Sequence, residues 1–423
     1  MDIKILTQFV IFLLLSLTVI TIAETKQNED TETYDYIIIT NNYLKKSVQD
    51  LKEWRENQGF KVKIVTGMRN ADEIRDFLKS KYLEWGIEYV LIVGSYRTIP
   101  LKKCYIDKEQ NERAEYIPTD HYYAELTHNW DIDNDGYFGE FKDDIKNNTD
   151  LLPEISVGRI PFDRPKNVKD FCNKLINYEK DNGDWKRKAL FLAGMQSYIP
   201  EYIDGTEFAE KLVNEILKSY GFNCTKLYEA GGLKPTNYSY DLPLNHINTL
   251  VKLREGFGFV SIMGKGMARF ARRYVWVRDN GNGIPDENEI KLWYRFIFLH
   301  SFDKVFLKTD KPSVVYSFTC YTANPRSMNL CSSLLDSIAV VFIGPTIGNR
   351  GGWQLKYNFT KYFSSTNMRL GDAFFNAKTE YINSDGGLDK LLYFFNDNST
   401  RWTTLVTNFY GDPATLKFLP PIT

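Results

Sequence analysis

The sequence predicts an α/β fold built as two stacked subdomains, each with a mostly parallel sheet flanked by helices. Three observations predict it. Short, almost wholly apolar runs such as YIIIT and YVLIV read as strands buried on both faces, and amphipathic helical stretches separate them. The same pattern then begins again at Trp185, which divides the chain into residues 34–183 and 184–423. With 423 residues, 43% of them hydrophobic, the chain is long enough for two or three domains and apolar enough for a real core.

The elements follow in order. Residues 1–23 read as a secretory signal peptide: Lys4 stands before an apolar run from Phe9 to Ile22, and Thr21-Ile22-Ala23 offers small residues for cleavage. A retained membrane anchor is the competing reading. The run is short for a spanning helix, and no later stretch approaches the ~20 apolar residues that one needs. A polar leader, residues 24–33, precedes the first strand, Tyr36 to Thr40. Leu44, Val48 and Leu51 recur at helical spacing before Gly59, and Phe60 to Val65 alternates as a second strand. Asn70 with Glu73 forms a capping-box signature for a helix whose face is Ile74, Phe77, Leu78 and Tyr82. Tyr89 to Val93 is a third strand, stopped by Gly94, and a helix of about Pro165 to Glu179 closes the first half.

In the second half, Ala189 to Ala193 is a strand, and Phe208, Leu212, Ile216 and Leu217 line a helix ended by Gly221. Phe259 to Met263, Val314 to Thr319 and Ala339 to Ile343 are further buried runs. Each is followed by an unusual loop: Gly264-Lys265-Gly266, Cys320-Tyr321-Thr322 and Gly344-Pro345-Thr346. Ligands of open α/β sheets bind beyond the carboxyl ends of the strands, so these loops mark one rim as the candidate site.

Composition narrows the chemistry. Lys plus Arg number 53 against 54 Asp plus Glu, a net charge of −1, which argues against a nucleic-acid or anionic-membrane binder. Only four histidines occur, at 121, 128, 246 and 300. The five cysteines (104, 172, 224, 320 and 331) match no metal-binding spacing, and their odd number leaves at least one thiol unpaired or paired between chains. No nucleotide-binding motif is present, and no organic cofactor is expected.

Cys320 ends an apolar run, VVYSFTC, so its thiol is expected at the rim, where it can ionise and meet substrate. A buried packing cysteine is the plainer reading of that residue alone. The Gly264-Lys265-Gly266 turn shifts the balance, because flanking glycines let the backbone approach a ligand and present an N–H to it.

Taken together, these segments resemble the gingipain-type cysteine peptidases, which share the caspase-like architecture. The resemblance runs from Tyr36 to about Leu416 and includes YVLIVGSYRTIP, TDHYYAE, VGRIPFDRPKNV, FGFVSIMGKG, SVVYSFTC, VVFIGPTIGNRGGW and NFYGDPATL. It implies protein or peptide substrates, with Cys320 as the nucleophile that forms an acyl-enzyme. It further implies an oxyanion hole from the Gly266 and Cys320 N–H groups. Trp353 matches the aromatic residue that roofs the pocket for the side chain before the cut bond; packing under a loop is its other reading. Two positions depart from the family pattern. Its Gly-His-Gly reads Gly-Lys265-Gly here, and Gln196 stands where an acidic residue supports that histidine. The expectation is therefore a secreted or cell-surface cysteine peptidase homologue of weakened or lost activity. A non-catalytic module that binds a peptide or protein in the same groove is the alternative.

Two acidic loops complete the reading. Asp131, Asp133 and Asp135 precede Gly136, with Glu140 further on, a calcium-type pattern of structural purpose, with a merely solvated acidic loop as its other reading. Lys142 stands at position twelve, where a full EF-hand has glutamate. The stretch from Asp279 to Glu289 resembles a calcium turn more weakly. Arg269, Arg272, Arg273 and Arg278 read as a solvated basic face or, alternatively, as an electropositive mouth.

Overall fold

The apolar runs expected as buried strands form the middle of one sheet in the computed structural model. It describes residues 32–105, 116–141, 144, 150–291, 296–365, 367–391, 396 and 398–420. The signal peptide, most of the polar leader, Lys142 and an N-x-T triplet at Asn147 lie outside the described residues.

The sheet has eleven strands. In chain order they are β1 (Tyr36–Thr40), β2 (Val62–Thr66), β3 (Tyr89–Val93), β4 (Ser156–Ile160), β5 (Lys188–Ala193), β6 (Asn223–Tyr228), β7 (Leu242–Pro243), β8 (Phe259–Met263), β9 (Ser313–Ser317), β10 (Ala339–Pro345) and β11 (Thr407–Tyr410). In space they run β7-β6-β5-β8-β9-β10-β11-β4-β3-β1-β2. Every neighbouring pair is parallel except β10 with β11. The expected α/β class holds, and the two halves of the chain meet edge to edge through β11.

Successive side chains of each strand enter opposite cores, as the pleat requires. Tyr36 and Ile38 of β1 pack on one face with α1 (Gln49–Glu56) and α3 (Pro165–Lys180). Ile37 and Ile39 pack on the other with α2 (Ala71–Trp85). In the second half, Leu190 and Leu192 of β5 join the first of these cores, while Ala189 and Phe191 face α4 (Gly205–Lys211). The helix expected around Leu212 and Ile216 continues α4 as a π turn and a 3-10 turn, and Gly221 ends it at φ +71°. Further helices are α5 (His246–Glu255), α6 (Leu330–Leu335), α7 (Trp353–Ser365), α8 (Leu370–Asn383) and α9 (Ser399–Val406).

Local signals account for the boundaries. The Asn70 side chain accepts hydrogen bonds from the N–H groups of Asp72 and Glu73, both at 2.9 Å, and so caps α2. Glu73 reaches back to the Arg69 N–H at 3.3 Å, one residue earlier than a capping box requires. Gly86 ends that helix in the left-handed conformation, φ +69°.

A buried ionic knot fastens the far end of the chain to its start. The Arg55 guanidinium, fully buried, donates to Glu179 at 2.8 and 2.9 Å and to Asp412 at 2.9 Å. Asp412 also accepts from the Tyr36 hydroxyl at 2.7 Å, and Glu179 from the Leu416 N–H at 2.8 Å. Arg55 holds Glu179 below the usual carboxylate range against the opposing effect of burial, which is the larger single influence.

Candidate active site

Three strand ends build the site. Gly264 to Met267 leave β8 as a short hairpin: Lys265 to Met267 pair antiparallel with Phe270 to Arg272. Beside it, the chain leaving β9 turns sharply at Cys320, and Tyr321 adopts φ +63°, a region that costs a residue with a Cβ of order 1–3 kcal/mol. Hydroxyl groups brace that turn. Ser317 Oγ meets Thr319 Oγ1 at 2.6 Å and Thr322 Oγ1 at 3.2 Å, and Thr322 donates to the Thr319 carbonyl at 2.9 Å. The Tyr321 N–H is held by the Ile347 carbonyl at 3.0 Å, which ties the turn to the loop after β10.

Gly266 lies flush against this turn. A Cβ at position 266 would stand 2.7 Å from the Cys320 nitrogen and 2.8 Å from the Thr319 carbonyl carbon, and closer still to the Cys320 carbonyl oxygen. Only a glycine permits that approach. Among the described residues no backbone acceptor takes the Cys320 N–H, so it is free for a ligand oxygen.

A cleft of about 330 Å³ opens at the rim, lined by Gln196, Lys265, Cys320, Asn349, Arg350 and Trp353 among others. Cys320 is half-buried at its edge, and the Asn349 N–H donates to its sulfur at 3.3 Å. Lys265 rests with Nζ 5.1 Å from the Tyr274 ring centroid. Burial pushes its ammonium pKa down, and the nearby Cys320 opposes that shift. Gln196, on the short strand after β5, donates through Nε2 to the Gly194 carbonyl at 3.3 Å. Trp353 lines the cleft and packs against Phe208 and Phe318, with ring centroids 4.7 and 5.7 Å away. Its position is set by Asp389, a buried carboxylate that accepts from the N–H groups of Gly352, Trp353 (2.9 Å) and Gln354 (3.3 Å) at the start of α7. Burial raises the Asp389 pKa, and those donors work against it.

Among the described residues, no histidine and no carboxylate lines this cleft. His121 is buried in the other half, bonded to the Leu151 carbonyl at 2.8 Å and near Lys378. His128 lies against Glu125, His246 against Asp303, and His300 caps a 3-10 turn. The acidic residues around Gln196 are engaged elsewhere. Glu229 pairs with Arg273 (Nε at 2.8 Å), and Asp204 accepts from Thr206 N–H at 2.9 Å and the Thr236 hydroxyl at 2.7 Å. None of the four arginines that follow the glycine turn lines the cleft either; Arg278, for example, reaches the Asn288 carbonyl at 3.4 Å.

The expected calcium loop gathers its carboxylates and recruits one more. Ligand oxygens of Asp131, Asp133 and Asp144 lie within 4.8 Å of one another, as do those of Asp133, Asp135 and Glu140. Asp144 was missed in the sequence because the chain folds back to bring it in. It accepts from Ile132 N–H at 2.6 Å and Gly139 N–H at 2.8 Å, which shapes the loop. Its pKa is raised by burial first and by neighbouring Asp131. The weaker stretch behaves differently: Asp279 accepts from the N–H groups of Gly281, Asn282 and Gly283, an ordinary turn. None of the five cysteines forms a disulfide, and Cys104, Cys172 and Cys331 are buried.

A cysteine on a strained turn at the carboxyl end of a parallel strand, faced by a glycine-walled hairpin and an open cleft, is the constellation of a cysteine peptidase of caspase-like fold. The family-wide comparison agrees: residues 29–417 match peptidase family C25. The chain belongs to that family, the gingipain-type cysteine peptidases. Gingipain R2 of Porphyromonas gingivalis is 21% identical over 270 residues, which cover 61% of this chain and 32% of gingipain R2. Gingipain R1 of that organism is likewise 21% identical, over 24% of its own length. The chain thus spans about a third or less of the curated relatives it matches. The crystal structure of the Arg-specific cysteine proteinase gingipain R superposes with a TM-score of 0.67 at 16% identity, over 92% of this chain and 79% of that one. A second protease structure gives 0.62 at 13% identity, over 90% and 78%. At such identities the structures establish the shared fold. No helix among the described residues is long and apolar enough to cross a membrane.

Proposed function

We propose that this is an exported member of the family whose Cys320 cleft receives a peptide segment, with peptide-bond hydrolysis weakened or lost. The observation that carries the reading is the lining of the Cys320 cleft: it presents Lys265 and Gln196 and, among the described residues, no histidine and no carboxylate.

The chemistry explains the weakness. In a working site the thiolate of Cys320 adds to the scissile carbonyl carbon, and the developing oxyanion is held by the N–H groups of Cys320 and Gly266. The C–N bond then breaks as the leaving amine gains a proton, and water hydrolyses the thioester. The proton shuttle needs a pKa near the working pH. Histidine has ~6.5, whereas lysine has ~10.4. Burial moves Lys265 in the useful direction, which supports slow turnover with Lys265 as the shuttle and Gln196 as a neutral neighbour. With no histidine to orient, a carboxylate at position 196 has no task. The same geometry favours the second reading, a non-catalytic peptide- or protein-binding module, because it keeps the cleft while lacking the shuttle.

A calcium ion fits the loop around Asp133. Its five carboxylates are all hard oxygen donors, two of them buried, and their mutual repulsion calls for a cation. Its role would be structural, in ordering that loop. A secreted or cell-surface location rests on the amino-terminal apolar segment.

The test is cleavage of a diverse peptide library by the mature protein, with calcium and reductant, beside a Cys320→Ala control. Cuts that vanish in the control establish the peptidase. No cuts from the folded wild type, with hydrolysis appearing in Lys265→His, Gln196→Glu, establish the binding module. Cuts that persist in the control refute both readings.

A further inference from the structure

The cleft has a charge pattern of its own. Among the described residues two cations line it, Lys265 and Arg350, and no carboxylate does. Neither cation takes part in an ion pair among the described residues. Each rests instead on an aromatic face: Arg350 Cζ lies 3.9 Å from the Trp402 ring centroid, and Lys265 Nζ lies 5.1 Å from that of Tyr274. Stacking of this kind orients a guanidinium while leaving its N–H edges free to bind. The Trp402 ring is itself fixed, since its Nε1–H donates to the Gly348 carbonyl at 2.6 Å.

The indole N–H of Trp353 is buried and has no acceptor, and the side-chain oxygen of Asn349 is buried and has no donor. The cleft offers two positive charges to an anion.

We propose that the cleft selects an acidic side chain, the carboxylate of Asp or Glu in a bound peptide, held by Arg350 and Lys265. This rests on the reading that the cleft receives a peptide. A bidentate guanidinium–carboxylate pair discriminates by geometry and charge, so the neutral isosteres Asn and Gln lose the charge-assisted bonds and Lys or Arg meets repulsion. The shared fold does not dictate this choice, because it is made by the individual side chains at positions 265 and 350.

The experiment uses a positional-scanning set of fluorescein-labelled, N-acetylated peptide amides and reads anisotropy with full-length Cys320→Ala protein, so that hydrolysis cannot interfere. At one position, peptides with Asp or Glu should bind about tenfold or more tighter than those with Asn or Gln, with Lys and Arg weakest. Salt should weaken that preference. Arg350→Gln should remove about tenfold of it, and Arg350→Glu should shift it towards Lys; Arg350 is exposed, so both variants should fold. Binding that favours neutral or basic residues at every position, or an acidic preference that survives Arg350→Gln, overturns the proposal while leaving the peptide-binding reading intact. A folded protein that binds no peptide of any composition overturns both.

Discussion

Replacing Gly266 with alanine tests whether the glycine turn and Cys320 form one unit. The new methyl would stand 2.7 Å from the Cys320 nitrogen and 2.8 Å from the Thr319 carbonyl carbon, where ordinary contact begins at 3.4 Å. Both neighbours are main-chain atoms, so no side chain can swing aside. The hairpin and the Cys320 turn must separate by at least about 0.7 Å, the difference between 3.4 and 2.7 Å, and by more to clear the Cys320 carbonyl oxygen. Overpacking of this size costs about 1–3 kcal/mol, a fall of a few degrees in melting temperature for a chain of this length. Displacement approaching 1 Å also costs a catalytic group up to ~100-fold in rate. Two assays read the outcome: the thermal midpoint, and the rate of Cys320 alkylation by iodoacetamide followed by mass spectrometry. Both should change, alkylation by at least about threefold in either direction as the Asn349 N–H and the cleft wall move away from the sulfur. A variant with the wild-type midpoint and the wild-type alkylation rate would refute the contact and, with it, the pairing of the Gly266 and Cys320 N–H groups.

Other consequences are open to measurement. Arg55→Met leaves two buried carboxylates, Glu179 and Asp412, without their cation; urea unfolding should show a loss of about 3–5 kcal/mol, and under 1 kcal/mol would remove the knot as a major tie. Lys417 is buried over the Phe363 ring without a hydrogen-bond partner, and burial lowers its pKa to about 7. Because the unfolded chain keeps the ordinary lysine pKa, the native state binds fewer protons between roughly pH 7 and 10 and gains stability as pH rises through that window. Lys417→Met should therefore stabilise by more than ~1 kcal/mol at pH 7, with a gain that shrinks towards pH 10; a pH-independent difference would contradict the assigned cause. Calcium should raise the melting temperature and chelation lower it, and Asp133→Asn should abolish the response; an identical response in the variant would exclude this loop.

Strands buried on both faces were legible because their apolar runs are continuous: β1, β3 and β8 begin and end where the sequence places them. β4 was not. It reads SVGRI, and Arg159 breaks the run, yet that arginine is buried and satisfied by Asp120 at 2.6 and 2.7 Å and by the Gly94 and Ile99 carbonyls. A charge neutralised by residues distant in sequence cannot be told from an exposed one by pattern alone. The site divides along the same line. Cys320 and Gly266 were legible from a strand end and a glycine turn, whereas Arg350, Asn349 and Asp389 act through loops whose meeting is purely tertiary. Asp144 escaped for that reason too, since loop counting stops before it.

One consequence lies in the position of β11. This strand, residues 407–410, is wedged between β10, residues 339–345, and β4, residues 156–160. Until it arrives, two hydrophobic strand edges in the middle of the sheet stay unpaired, and the loop after β10 that carries Asn349 and Arg350 lacks one side of its support. The Thr346 N–H is bonded to the Val406 carbonyl at 2.9 Å, so that loop is pinned directly by the segment entering β11. A keystone placed this late leaves the sheet in two parts until the end of the chain joins them. A chain synthesised only as far as residue 400 has Cys320, its glycine turn and most of its core, but no finished cleft for them to share. Competence at the rim is thereby coupled to arrival of the strand that closes the sheet.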